Sequence, residues 1–253
     1  MATNLVISGG PLHDFAASTG VLVDALGAAG VRSTVLEDPR DALRRLADQP
    51  RSWDMVTVNA LRWEAGAPRH AHLREEWSFS LTDDESRAVD RYVRDGGSLL
   101  ACHAAVICFD GDARWVGCLG AAWDWDRSTH PPLAPTRIEA TAAGADHPLT
   151  HGIDGFDTVD EVYAFLELAP DLVPLLTGAH GGVDHPVLWE RRVGRGRVVV
   201  DLLGHDAAAM GRPEHREVLR RAAQLLTTPE PASPAASTPN VVAPNAPAPT
   251  SRP

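Results

Sequence analysis

The feature that most constrains this chain is the alternation of short apolar runs with helical segments through its first hundred residues. TNLVIS (3–8), RSTVLE (32–37), WDMVTVNA (53–60) and SLLACH (98–103) each read as a strand. Between them, Val21, Leu22, Ala25 and Leu26 recur at helical spacing, DPRDALRRLAD (38–48) offers Asp38 as N-cap with Pro39 at the first turn, and Thr82 with Glu85 forms a capping box. Strands that alternate with helices, and that are apolar throughout, build a parallel sheet covered on both faces. The expected fold is therefore α/β, a flavodoxin-like, doubly wound, mostly parallel sheet with helices on both faces.

Such a sheet places ligands beyond the carboxyl ends of its strands. Four places qualify: Gly9 to Phe15, the 60–80 stretch, Cys102 to Phe109, and the end of a later strand. That strand belongs to HPVLWERRVGRGRVVVDLLGHD (185–206), which reads as two strands around a Gly-containing turn and ends in Gly204-His205-Asp206. RPEHREVLRRAAQLL (212–226) is a closing helix, and the segments 136–142, 146–153 and 156–165 read as short strands and turns. The body spans 1–227. From 228 to 253 the chain is Pro, Ala, Ser, Thr and Asn with almost no large apolar side chains, a composition that predicts disorder.

The net charge is −11 and no lysine occurs, which opposes nucleic-acid binding. No apolar run is long enough to span a bilayer, and the first residues lack a basic leader, so the expectation is a cytoplasmic protein without a membrane partner. Cys102, Cys108 and Cys118 form no Cys-x-x-Cys pair and suit reduced thiols.

The turn after the fourth strand reads Ala101-Cys102-His103-Ala104-Ala105. A sharp strand-to-helix turn exposes one side chain and needs small neighbours two positions away. With Cys102 at the tip, Leu100 is too bulky; with His103 there, Ala101 and Ala105 both fit. His103 therefore faces the ligand, and Cys102 packs as a small hydrophobe. Asp160 and Glu161 are adjacent on a strand and face opposite ways, so at most one enters the pocket. In the 60–80 stretch, Trp63 and Trp77 are placed to cover it, and with Trp115, Trp123 and Trp125 they form a group able to stack on a sugar ring.

GGPLHDF, GGSLLACHAA, DHPLTHGI, DEVYAF and the 185–206 segment follow one another as in the ThuA-like (trehalose utilisation) family. The resemblance covers about Asn4 to Leu226. It implies a class I glutamine amidotransferase-like fold in which histidine replaces the nucleophilic cysteine at the elbow, and so no glutaminase activity. It further implies catalytic His103, His205 and Asp206, with His13, His130, Glu161 and Tyr163 binding substrate. The activity it implies lies in carbohydrate metabolism: acid/base chemistry, of isomerase or hydrolase/lyase type, on a disaccharide or keto-sugar-like small molecule.

A non-catalytic binding or scaffold module on the same fold is the alternative. A metal-assisted reading, with His13, His103, His205 and Asp206 as donors, ranks lower because no His-x-x-x-His spacing supports it. No metal ligand is therefore assigned, the cofactor is unknown, and assembly into a homo-oligomer is left open.

Overall fold

The alternation of strand and helix is realised in a computed structural model that describes residues 1–228. In chain order the elements are β1 (Ala2–Gly9), α1 (Phe15–Ala28), β2 (Val31–Leu36), α2 (Pro39–Asp48), β3 (Met55–Ala60), α3 (Arg74–Trp77), α4 (Asp83–Arg94), β4 (Ser98–Cys102), α5 (Ala113–Leu119) and β5 (Ala121–Ala122). There follow β6 (Ala134–Ala140), α6 (Ala142–Ala145), β7 (Gly155–Asp160), β8 (Glu167–Leu168), β9 (Pro174–His180), β10 (Val183–Val193), β11 (Gly196–Asp201), α7 (Ala207–Met210) and α8 (Pro213–Thr227). The segment expected to be disordered lies, beyond Thr228, outside the described residues.

The nine-stranded sheet has the order β2-β1-β3-β4-β11-β10-β9-β6-β7. The run from β2 to β11 is parallel throughout. Its strands β3 and β4 are buried at every position, which explains their unbroken apolar runs. Helices α1, α7 and α8 pack together over one face, and α2, α4 and α5 over the other. This is the flavodoxin-like, doubly wound arrangement. The capping signals hold as well: Asp38 accepts from Arg40 and Asp41 N–H with Pro39 behind it, and Thr82 and Glu85 close a reciprocal capping box.

From β10 onward the sheet continues antiparallel. The alternation of direction leaves β7 running the same way as β1, β3, β4 and β11. Its carboxyl end, at Asp160, therefore reaches the same edge of the sheet as theirs. That edge carries the site.

Candidate functional site

The elbow after β4 is held in an unfavourable backbone conformation. His103 has φ +46°, the left-handed region that costs a non-glycine residue about 1 kcal/mol or more. Ala101, Ala104 and Ala105 around it are small and fully buried. The Trp115 indole packs behind the turn and donates to the Ala105 carbonyl at 3.2 Å. Cys102 faces the interior and is 1% exposed; burial, with Asp201 nearby, pushes its thiol well above the ordinary value. That environment disfavours a thiolate nucleophile.

β4 and β11 run in parallel register, Cys102 opposite Asp201. The chains leaving them are therefore neighbours, and His103 Nδ1 donates to the Leu202 carbonyl at 2.9 Å. Because a carbonyl only accepts, the proton sits on Nδ1, and the Nε2 lone pair points into the site. There it lies 3.1 Å from the Tyr163 hydroxyl and 3.2 Å from His13 Nε2.

His13 arrives from β1 through a tight approach. Gly10 has φ +140°, and a Cβ on it would stand 2.4 Å from the Leu61 carbonyl oxygen that follows β3. Only glycine lets the two strand exits pass so closely.

At the end of β7 the adjacent carboxylates divide their work. Asp160 is buried and accepts backbone N–H bonds from Gly204 at 2.7 Å, from His205 at 3.1 Å and from Glu161 at 2.9 Å. Glu161 turns the other way. Its Oε2 is 3.2 Å from His205 Nδ1 and 3.7 Å from His103 Nε2, and its Oε1 is 3.1 Å from His130 Nδ1.

The three rings of His13, His103 and His205 meet in pairs, with centroids 4.6 to 5.4 Å apart. One donor atom each from His13, His103, Glu161 and His205 falls within 4.8 Å of the other three, a set able to hold a metal ion.

The surroundings sort the charges. Burial, reinforced by the neighbouring His103 and His205, lowers His13 to about 3. Burial also lowers His103 to about 4. Burial works against ionisation of Glu161, but His130 and His205 outweigh it and hold the carboxylate charged. Glu161 in turn raises both His205 and His130. Neutral and cation-prone imidazoles thus surround one carboxylate, with His103 and His205 near Oε2 and His130 near Oε1.

Above the cluster opens a cleft of about 610 Å³ lined by His13, His130, Glu161, Tyr163 and His205, with Trp63, Trp123 and Trp125 among its walls. A larger depression of about 1130 Å³ lies at the amino ends of β3, β4 and β11. The smaller cleft is the candidate site, because the titratable groups converge there.

Of the residues expected from sequence, His13, His103, His130, Glu161, Tyr163, His205 and Trp63 meet here. His103 is 1% exposed and lies behind His13 and Tyr163 rather than on the cleft surface. Two residues do not join. The Asp206 carboxylate caps α7 by accepting from Ala209 N–H at 2.8 Å. Trp77 lies against the Arg62 guanidinium, 4.7 Å from its ring, outside the cleft. Of the wider tryptophan group, Trp115 is spent behind the elbow. His70 and Arg69 line the cleft and were not singled out; His70 sits edge-on between Trp63 and Trp125.

The family model described as ThuA, trehalose utilisation, matches residues 73–225. No curated protein sequence matches the chain. Among solved structures, a ThuA-like protein from Parabacteroides merdae superposes with a TM-score of 0.70 at 18% identity, covering 90% of each chain. A ThuA-like protein from Bacteroides uniformis gives 0.67 at 14% identity, covering 89% of this chain and 91% of its own. A cytoplasmic protein from Salmonella typhimurium LT2 gives 0.59 at 13% identity, covering 90% and 100%. At these identities the likeness is one of fold.

Proposed function

The chain belongs to the ThuA family, and from that premise we propose that it is an enzyme of carbohydrate metabolism that moves protons on a disaccharide or keto-sugar-like small molecule. The observation that carries this reading is the geometry at Glu161, whose two oxygens lie 3.2 Å from His205 Nδ1 and 3.1 Å from His130 Nδ1 and raise both imidazoles, while burial keeps His13 and His103 beside them neutral. Titratable groups pushed in opposite directions are the arrangement that general acid/base chemistry needs.

His205, backed by Glu161, is the proton donor and acceptor that touches substrate. His103 acts through others: its Nε2 accepts from the Tyr163 hydroxyl and orients His13. The tryptophan walls suit the apolar face of a sugar ring, and Glu161, Tyr163 and His130 offer partners to its hydroxyls. Reactions of isomerase or hydrolase/lyase type at a carbon beside a carbonyl fit this equipment. Glutamine hydrolysis does not, because Cys102 is sealed in the core.

Among the described residues no helix is long and apolar enough to cross a membrane. A cytoplasmic location remains part of the proposal, supported by the cytoplasmic neighbour.

The test is turnover of a 3-keto-disaccharide by the purified protein. We expect it to fall by roughly 100-fold or more in His205→Ala, the scale of a lost general acid or base. Unchanged turnover in both His103→Ala and His205→Ala would sink the reading. Saturable binding of the sugar without turnover would favour the binding-module alternative.

A further inference from the structure

The buried His205 Nδ1 stands 3.2 Å from Glu161 Oε2, close enough for an ion pair but without the alignment of a hydrogen bond. Two donor atoms that approach without bonding each other are arranged like adjacent ligands of one ion. The neighbouring separations agree. His13 Nε2 and His103 Nε2 are 3.2 Å apart, and His103 Nε2 and Glu161 Oε2 are 3.7 Å apart. With metal–ligand bonds near 2.0–2.1 Å, the edge of a tetrahedral site is about 3.3 Å.

The geometry points to a first-row divalent transition-metal site, with zinc its simplest occupant, formed by His13, His103, Glu161 and His205. It rests on the acid/base reading of the same cleft for where the substrate lies, and with the ion bound it leaves His130, the other cleft histidine paired with Glu161, rather than His205 to carry the proton.

The supporting shell is of the kind that metal histidines have. The Leu202 carbonyl fixes the His103 tautomer and turns the Nε2 lone pair inward. Asp160, by gripping the Gly204 and His205 backbone, sets the position of His205. His130 holds the second oxygen of Glu161 and leaves Oε2 for the ion. Three imidazoles and one carboxylate suit zinc, manganese, iron, cobalt or nickel better than calcium or magnesium, whose sites are all oxygen.

The four donors come from four separate segments of chain, so no sequence spacing announces them. His13, Glu161 and His205 also line the cleft, so the ion has one side open to a ligand. The Tyr163 hydroxyl, beside His103 Nε2, is placed to donate to an oxygen bound there. The ligand class is therefore a polyol or keto-sugar that offers an oxygen to the ion while its ring rests on the tryptophans. An ion so placed polarises a carbonyl or acidifies a bound hydroxyl.

The experiment uses full-length protein made without a histidine tag, dialysed against chelator and titrated with Zn²⁺ and, separately, Co²⁺. One equivalent should bind, and the Co²⁺ form should show the visible bands of a low-symmetry nitrogen–oxygen site. His205→Ala and Glu161→Ala should each weaken binding by roughly 100-fold or more, beyond the cost of losing an outer-shell partner. Asp206→Asn should bind as the parent does.

Saturable binding that survives in the His103→Ala/His205→Ala double variant would place the ion elsewhere and overturn the inference. So would a parent protein that binds no stoichiometric metal and gives no Co²⁺ bands. If the variants unfold, the parent's stoichiometry and Co²⁺ spectrum still decide. Keto-sugar turnover by a parent protein that binds no metal would overturn the metal site and leave the acid/base reading intact; stoichiometric metal without turnover would do the reverse.

Discussion

The Asp160 carboxylate accepts the backbone N–H of His205 at 3.1 Å, and so the last residue of β7 sets the position of the histidine that follows β11. The same carboxylate takes the N–H groups of Gly204 and Glu161. The Asp160 carboxylate and the bonds to Gly204 and Glu161 are buried, and the bond to His205 is partly so. Asp160→Ala would leave several donors without acceptors, each costing about 1–3 kcal/mol. We expect a loss of roughly 3 kcal/mol or more by urea unfolding, with Asp160→Asn losing less because its amide oxygen still accepts. Equal stability of Asp160→Ala and the parent would show that the loop holds itself.

The left-handed backbone of His103 makes a second prediction. An L side chain at φ +46° is strained, and glycine is not. His103→Gly should therefore be more stable than His103→Ala by about 1 kcal/mol, although glycine is the more flexible residue when unfolded. Denaturant midpoints of the two variants in chelator-containing buffer measure it. The opposite order would mean that the elbow relaxes once the imidazole is gone. The strain is then maintained for the side chain it presents.

Part of this was legible in sequence and part was not, for physical reasons. The register of the elbow could be read because a tight turn tolerates alanine and not leucine, and Leu100 sits on the wrong side of Cys102. That no more than one of Asp160 and Glu161 would face the cleft followed from strand alternation.

The antiparallel half of the sheet was harder to see. Strands such as β7 alternate between exposed and buried positions over only a few residues, a pattern too short to fix which strands pair. Asp206 caps α7 and does not line the cleft, and sequence could not separate the two because helix capping and catalysis draw on the same residue type. Residues at the ends of neighbouring or next-neighbouring strands stand up to about 10 to 15 Å apart. The histidine rings are in contact instead, because the segments leaving β1, β4 and β11 fold inward over the sheet edge.

A third prediction concerns pH and lies beneath the site. His215 and Asp201 form a buried pair at 2.8 Å. Burial disfavours the charged imidazole, but Asp201, helped by Asp160 and the Ala209 carbonyl, outweighs it and pushes His215 up to about 9 from its ordinary 6.5. Below pH 6.5 both folded and unfolded chains carry the proton, and the pair's contribution is fully present. Between 6.5 and about 9 the unfolded chain releases the proton while the folded one keeps it, so that contribution declines. Above about 9 it is gone. The melting temperature should fall across this window in the parent and fall less steeply in His215→Gln. Parallel profiles for the two proteins would remove His215 as the cause.

The last prediction tests the wall of the cleft. Trp125 is 37% exposed, an unusual exposure for so large an apolar ring, and it lines the cleft beside Trp123 and His70. Its indole N–H is tied to Asp110 Oδ2 at 3.1 Å, so the ring is held in place rather than free to fold away. A sugar ring resting on such a face gains about 0.5–1.5 kcal/mol beyond area burial if the contact resembles other aromatic pairs. Trp125→Ala should therefore weaken binding of trehalose or a 3-keto-disaccharide by roughly 10-fold, the equivalent of about 1.4 kcal/mol. Its effect on stability should be small, since the ring is only partly buried. Isothermal titration gives the affinity, and quenching of indole fluorescence in the parent reports the contact directly. If Trp125→Ala binds sugar as tightly as the parent and the parent's fluorescence does not respond, the sugar does not rest on this wall, and the sugar-stacking role of the cleft's tryptophans falls with it.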